Sequence, residues 1–458
     1  MNKDILLMKI VEEIVKRGDV YNVNLGRDVF TIGLYIDDKN DLDYGLTVID
    51  SGEDSRFRRR LKIIVDETKS KLRHQKTIAL SSEFKEVLRQ LKVSLPERMV
   101  NRELFAFSNG VFNFEKKLFQ AYFTRDEVLL FKSPFNYEYW DSLPEPSYRG
   151  LTPSAFIKQL SQNNSEIEEL LYDMMSVMVH QEVPSEKAVY FVGYGNDGKS
   201  TINQLFLNLA GQQNTEILTM REFAEESNLN KLHQKSLIIG DENYFDSRHP
   251  IDTEIINKVI TGEQFRAHIF NERRFSTMTY ALVIQNGNIL PTFINKSNGA
   301  LRRWLFVQMQ PIVSTEDKTW IKREFVKEPR ILSWLLFKAV HRGVHDLKQR
   351  KYAGLEHKTK EQIIGTSPAE SFLNEMYDKQ FAKMLDISSK LLYQWYLEFM
   401  RQDDSDVKPY TQRKFTVRVQ SLFLSKGWKY SSKNHVFSNT VSTRSGMQES
   451  GFINAKEN

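Results

Sequence analysis

Cysteine is absent from this 458-residue chain. That excludes disulfides, thiolate zinc ribbons and iron–sulfur clusters, and suits a reducing cytoplasm. Long apolar runs are missing as well: nothing approaches the roughly 20 consecutive apolar residues that cross a bilayer. The opening MNKDILLMKIVEEIVKRGD carries acids inside its apolar stretch, so it reads as an amphipathic helix without the core and cleavage site of a signal peptide. No internal repeat is present. His341 and His345 have the i,i+4 spacing of zinc ligands, but no glutamate follows the first and no third ligand is evident, which favours an exposed helical face. What is there, 40% hydrophobic and 27% charged residues, is ordinary for a soluble cytoplasmic protein of two or three domains. A net charge of +5 is weak evidence for a polyanionic partner, and the placement of that charge matters more.

Along the chain, residues 1–100 mix helix and strand signals and read as an N-terminal α+β domain. DVFTIGLYIDDKNDLDYGLTVID suggests two short strands around an acidic turn, followed at once by the basic run Arg56-Phe57-Arg58-Arg59-Arg60-Leu61-Lys62. Asp37, Asp38, Asp41 and Asp43 could be primase-like carboxylates, but a solvated acidic turn beside a basic helix is the better reading, and a polymerising domain needs more chain. FAFSNGVFNFEKKLFQ reads as a hairpin around an Asn-Gly turn. Helical spacing from about 153 to 182 then suggests a helical bundle, closed by Pro184. From about 187 to 310 short apolar runs alternate with helical stretches, the α/β pattern. Helix resumes from about 317 to 365, and the polar end, 441–458, is expected to be a disordered tail.

Chemistry concentrates in the α/β region. FVGYGNDGKST places G-x-x-x-x-G-K-S between an apolar strand and a helical segment, the context a P-loop requires. Gly193, Gly195, Asn196, Asp197, Gly198, Lys199, Ser200 and Thr201 would cradle ATP: backbone N–H groups turn toward phosphate, Lys199 reaches the β and γ phosphates, and the Ser200 hydroxyl ligates Mg²⁺. Downstream, KSLIIGDENYF is an apolar strand delivering Asp241 and Glu242, with room for one helix and one strand since Lys199. Asp241 would help hold Mg²⁺ and Glu242 would polarise the attacking water. TYALVIQNGNILPTF is a further strand ending in Asn288, an amide suited to orienting that water. Arg302 or Arg303, before the next strand, could act as an arginine finger in a neighbouring subunit's pocket, which implies a ring.

A P-loop, a nearby Asp-Glu strand, a strand ending in Asn-x-x-Pro and a late Arg-Arg together resemble the superfamily 3 helicases. The chain looks most similar to poxvirus- and phage-type primase-helicases, including Rep-type replicative helicases of phages and staphylococcal mobile islands, over roughly residues 100–435. The upstream SNGVFNFEKK is similar to the hairpin that precedes the family's collar helices. The resemblance implies a modified AAA+ ATPase core at 183–365, a hairpin and helical collar at 101–182, and a winged helix at 366–440. It also implies a homo-hexameric ring around DNA and ATP-driven 3′-to-5′ translocation. Asp197 departs from the pattern, which usually has Asn before Gly-Lys; a carboxylate near phosphate is unfavourable unless it points away or is paired.

Between Asp-Glu and Asn288, TGEQFRAHIFNERRFSTMTYAL alternates as a hairpin should. In the family this hairpin grips DNA phosphates, which makes Arg266, His268, Arg273 and Arg274 candidates; a solvated basic hairpin is the alternative. Residues 408–433 hold seven basic residues and no Asp or Glu. TQRKFTVRVQSLFLSKG there reads as a helix with apolar positions Phe415, Val419 and Leu422, and WKYSSKNHVFS as a strand pair. Arg413, Lys414, Arg418 and Lys429 are the DNA candidates on this winged-helix outline, against a merely basic surface. The expected function is a replicative helicase of a phage or mobile element, acting on single- and double-stranded DNA beside a separate primase, with origin binding or melting possible. The alternatives are a fused primase-helicase and an ATP-assembled DNA-binding initiator that does not unwind.

Overall fold

The computed structural model describes residues 3–52, 55–72, 82–193, 195–243, 251–269, 274–291, 293–294, 302–311, 319–356, 368–377, 380–401, 409–425, 427–440 and 448–454. They form two compact units. The larger takes the residues up to Asn243, those of 253–288 and those up to Glu356; the smaller takes the segment from 368 onward with short pieces at 251–252 and 289–294.

In the larger unit, β1 (Val20–Gly26) and β2 (Val29–Tyr35) form an antiparallel hairpin turned by Arg27 and Asp28, both at positive φ (48° and 60°). Two left-handed residues give the tight turn whose twist matches the flanking strands. β3 (Thr47–Ile49) pairs antiparallel with β2, and β4 (Glu97–Met99) parallel with β1. The helices α1 (Lys3–Arg17), α2 (Arg56–Lys71) and α3 (Ser82–Ser94) close one core with this sheet, through Ile10, Ile14, Phe57, Leu61, Val65, Val87 and Leu91 against Ile32, Leu34 and Val48. Of the acids after β2, Asp37 and Asp38 are exposed, but Asp41 and Asp43 are not a solvated pair. Asp43 is 1% exposed and ion-paired with Arg56 and, at 2.7 Å, with Arg60; Asp41 also meets Arg60 at 2.7 Å. Arginines in the first turn of α2 are unfavourable to the helix dipole, and these carboxylates compensate them.

The expected hairpin at 105–120 is a three-stranded antiparallel sheet: β5 (Leu104–Phe107), β6 (Gly110–Asn113) and β7 (Leu118–Gln120). Its turn is Ser108-Asn109, and Gly110, at φ 152°, is itself the first strand residue. A β-carbon at Gly110 would overlap the Gln120 carbonyl, so the third strand is what requires glycine there. The expected bundle is two helices, α4 (Pro153–Leu160) and α5 (Ser165–Val179). Asn164 caps α5 by accepting from the N–H groups of Glu166 and Ile167.

Five strands then form an all-parallel sheet: β8 (Ala188–Val192), β9 (Thr215–Ile217), β10 (Leu237–Gly240), β13 (Leu282–Gly287) and β14 (Trp304–Gln308), in the order β14-β8-β13-β10-β9. β8, β10 and β13 are buried along their whole length, as sheets covered on both faces must be. The helix α6 (Lys199–Ala210) follows β8; α7 (Glu254–Ile260) precedes the hairpin β11 (Phe265–Ala267)–β12 (Phe275–Thr277); α8 (Thr319–Arg323) and α9 (Pro329–Arg342) follow β14. Phe156, Leu171 and Met174 of α4 and α5 share one continuous core with Phe191, Phe206, Ile239, Ile284 and Leu336. In packing, therefore, 182/183 is not a boundary.

The smaller unit runs α10 (Pro368–Tyr377), β15 (Asp386–Ser388), α11 (Ser389–Arg401), α12 (Gln412–Ser425), β16 (Trp428–His435), β17 (Glu449–Asn454). Its sheet is antiparallel in the order β15-β17-β16. The expected disordered tail is thus corrected: residues 449–454 are the central strand, and Phe452, fully buried, stacks on Phe423 at 4.4 Å. The expected strand pair within 428–438 is one strand, β16, and its partner comes from that tail. Polar composition misled because only Phe452 and Ile453 of residues 449–454 are large and apolar, while the ladder itself is backbone.

Candidate functional site: a phosphate loop and its carboxylates

β8 carries the chain through the sheet to Gly193, whose N–H donates to the Gly287 carbonyl (3.2 Å). The loop then takes left-handed conformations at Gly195 (φ 103°), Asn196 (49°) and Gly198 (92°). Backbone turns of this kind gather N–H groups around an anion-binding concavity, and α6 adds its N-terminus. Lys199 is 8% exposed and donates from Nζ to the Gly193 carbonyl (2.8 Å). Asp197 points inward: at 3% exposure its carboxylate is ion-paired with Lys199 and accepts from the N–H groups of Gly195 (3.2 Å) and Lys199 (3.3 Å). Ser200 is exposed and Thr201 half-buried.

β10 ends where the sequence suggested, with Asp241 and Glu242 both exposed beyond it. Glu242 sits at φ 48°, its N–H held by the Asp241 carboxylate (3.0 Å). A non-glycine residue in that region costs of order 1 kcal/mol and persists where its surroundings enforce it. Here the enforcement comes from Asn243, which the sequence reading missed. Asn243 is 5% exposed; Nδ2 donates to Gln285 Oε1 (2.9 Å) and the Asn286 carbonyl (3.0 Å), and Oδ1 accepts from the Met220 N–H (2.9 Å). The end of β10 is thereby fastened to β13, the strand lying between it and β8.

On β13, Gln285 and Asn286 are both fully buried, and Asn286 stands opposite Phe191 of β8. Asn286 Nδ2 donates to the Lys199 carbonyl (3.4 Å), and its Oδ1 has no hydrogen-bond partner among the described residues. Asn286 is thus a buried amide beside the loop, and Asn288 is exposed just past the strand end, next to the Gly287 that the loop's Gly193 contacts. The sequence signal was the Gln-Asn pair closing an otherwise apolar strand. Gln162, also missed, clasps the loop from the α4–α5 turn, donating to the carbonyls of Gln310 (2.6 Å) and Asp197 (3.4 Å).

Arg302 is exposed and Arg303 lies 3.9 Å from Glu263. The Arg303 carbonyl accepts from Ala188, the first residue of β8, whereas the loop follows its last residue. A five-residue strand spans about 16 Å, so both arginines enter at the end of the sheet opposite their own loop. Among the described residues no group of three His, Asp or Glu could hold a metal ion. Mg²⁺ in nucleotide sites takes one or two protein ligands plus phosphate and water; Ser200 and Asp241, both exposed, offer oxygen donors of that kind.

The hairpin β11–β12 exposes Arg266, paired across the ladder with Ser276. His268 is half-buried, Arg274 forms an exposed ion pair with Glu226 (2.6 Å), and Arg273 lies outside the described residues. In the smaller unit, α12 buries Phe415, Val419 and Phe423 and presents Arg413 and Lys414 to solvent, with Arg418 half-buried. These three basic residues line a groove of about 510 Å³ with Tyr410, Thr411 and Val417; Lys414 Nζ lies 4.4 Å over the Tyr410 ring. Lys429 is exposed on β16.

A family model described only as a family of unknown function, DUF5906, matches residues 191–303. No curated protein matches. Among solved structures, the chain is similar to apo forms of the NrS-1 C-terminal region, at 11–12% identity and TM-scores of 0.44–0.45, with 97–98% of this chain and 98–99% of those covered. It is also similar to a JCV helicase bound to an acetamide compound, at 12% identity and a TM-score of 0.31, over 58% of this chain and 64% of that one. Likenesses this shallow fix neither fold nor role.

Proposed function

We propose that the chain is an ATP-hydrolysing DNA motor: a superfamily 3-type helicase with an AAA+ core, working as a ring around DNA. One observation carries the reading. An all-parallel sheet sets a phosphate loop with Lys199 and Ser200 after β8, and a fixed Asp241-Glu242 after β10, on the same carboxyl edge. Ligands of open α/β sheets bind along that edge. Lys199 and the loop N–H groups would neutralise the phosphates, and Ser200 and Asp241 would hold an Mg²⁺ brought with the nucleotide, which would supply charge neutralisation at the transferred phosphoryl group. Glu242 accepts a proton from the attacking water, which Asn286 or Asn288 orients. Arg302 or Arg303, remote from its own loop, completes the pocket of the next subunit in a hexamer.

DNA contact is assigned to the hairpin residues Arg266, His268, Arg273 and Arg274, and to Arg413, Lys414, Arg418 and Lys429 of the smaller unit. The element order of that unit, a helix pair followed by an antiparallel strand pair, supports a winged helix. Replication of a phage or mobile element beside a separate primase, and 3′-to-5′ polarity, belong to the same reading. A priming activity is disfavoured because Asp37, Asp41 and Asp43 already face arginines.

Strand displacement and phosphate release by wild type, Lys199→Ala and Glu242→Gln test the motor. Wild type should displace a strand only with Mg-ATP, and each variant should lose on the order of 10²-fold or more in hydrolysis. Hydrolysis by wild type without displacement would instead establish an ATP-driven assembly factor.

A further inference from the structure

We propose that Asp197 is an internal anion that occupies the phosphate seat of the loop and sets its nucleotide affinity. The inference rests on reading residues 193–201 as a nucleotide-phosphate site and adds what controls entry to it.

Three donors converge on the Asp197 carboxylate: the N–H groups of Gly195 and Lys199, and the Lys199 ammonium. These are the kinds of group that a phosphate oxygen would engage at a loop preceding a helix N-terminus. The pair is shielded from water, with side chains 10% and 4% exposed for Lys199 and Asp197, so solvent does little to weaken it. The carboxylate also lies in the hollow of the loop, since a β-carbon at Gly193 would collide with it. The main chain of Asp197 is meanwhile held from outside: Gln162 donates to its carbonyl while bridging the N–H (3.0 Å) and carbonyl (2.6 Å) of Gln310. Gln162 itself sits at φ 57°, a conformation kept only under constraint. With the backbone clasped, release of the seat is a rotation of the Asp197 side chain and not an opening of the loop.

A ligand that places phosphate in the loop must displace this carboxylate, so its apparent affinity falls by the fraction of time the seat is free. ATP, ADP and pyrophosphate should all bear the same factor. Asparagine keeps the shape and a carbonyl acceptor but gives up the charge that holds Lys199.

Isothermal titration of wild type, Asp197→Asn and Gln162→Ala with Mg-ATP, Mg-ADP and pyrophosphate tests the inference. Asp197→Asn should tighten all three by a common factor on the order of tenfold, and should lower the melting temperature of the nucleotide-free protein. Gln162→Ala, which frees the loop but keeps the carboxylate, should not tighten pyrophosphate. Equal affinities of wild type and Asp197→Asn overturn the inference alone, as does equal tightening by Gln162→Ala, which would make loop release the cause. No binding of any of the three ligands by any protein overturns the nucleotide reading and the inference with it.

Discussion

The candidate phosphate loop at residues 193–201 and the proposed DNA surface on the N-terminal half of α12 treat their charge in opposite ways. In the loop, Lys199 is buried and already neutralised by Asp197. On α12, Arg413 and Lys414 are exposed, and the segment that carries them has no acid of its own. The difference is one of desolvation. An ammonium removed from water needs a permanent counter-charge, whereas a solvated guanidinium can wait for a transient one. The first arrangement suits a ligand that must be admitted once per cycle, and the second a polyanion that is gripped and released along its length.

The contrast breaks most visibly at Lys199. Lys199→Ala leaves the Asp197 carboxylate buried and unpaired, so unfolding of the larger unit should become about 3 kcal/mol easier. Chemical denaturation should show this, and adding Asp197→Ala should restore much of the loss. Arg413→Ala, at an exposed position, should change stability by no more than about 0.5 kcal/mol. On α12, the proposed DNA surface, the effect should appear instead in DNA affinity: replacing Arg413 or Lys414 by Ala should weaken binding alike for all sequences. Each substitution should also reduce the slope of log affinity against log salt by about 1. A slope that does not move would remove α12 from the DNA surface.

A further effect separates the two units by acid. Burial holds His180 at a pKa of about 3 and His233 at about 4, against an ordinary 6.5; the neighbouring His345 pushes His180 the same way. Both stay neutral in the fold while the unfolded chain takes up protons, so the larger unit loses stability as pH falls from 6.5 toward 4. The slope is at most about 1.4 kcal/mol per pH unit for each histidine, and His180→Leu should flatten it. In the smaller unit, burial works to raise the Asp386 carboxyl, but hydrogen bonds from Ser438 and Asn439 outweigh it and leave the pKa lowered from 3.8. Its contribution is therefore complete above 3.8 and lost only below. Thermal melts at pH 7 and pH 5 should move the transition of the larger unit and spare the other.

Much of the site was legible before the fold. Glycines at 193, 195 and 198, the Lys-Ser pair and the apolar strands around them announce a phosphate loop, because backbone conformation and strand burial impose residue types locally. The Asp241-Glu242 strand end was legible for the same reason. The partner of Asp197, the clasp by Gln162 and the fastening of β10 by Asn243 were not, since each is a hydrogen bond or ion pair whose worth depends on burial. The same holds for β17, a polar-looking segment whose place as a central strand is decided by backbone pairing on both sides.

Local chemistry thus marked from the sequence a candidate phosphate loop and the carboxylates proposed to serve it. Tertiary packing decided what sequence position could not: that the buried amide of Asn286 meets the Lys199 carbonyl, that Arg302 and Arg303 stand at the far end of the sheet from the loop, and that Asp197 faces inward. Sequence spacing is one-dimensional, whereas strand order, burial and the direction of a side chain are settled only when strands distant in the chain are laid side by side.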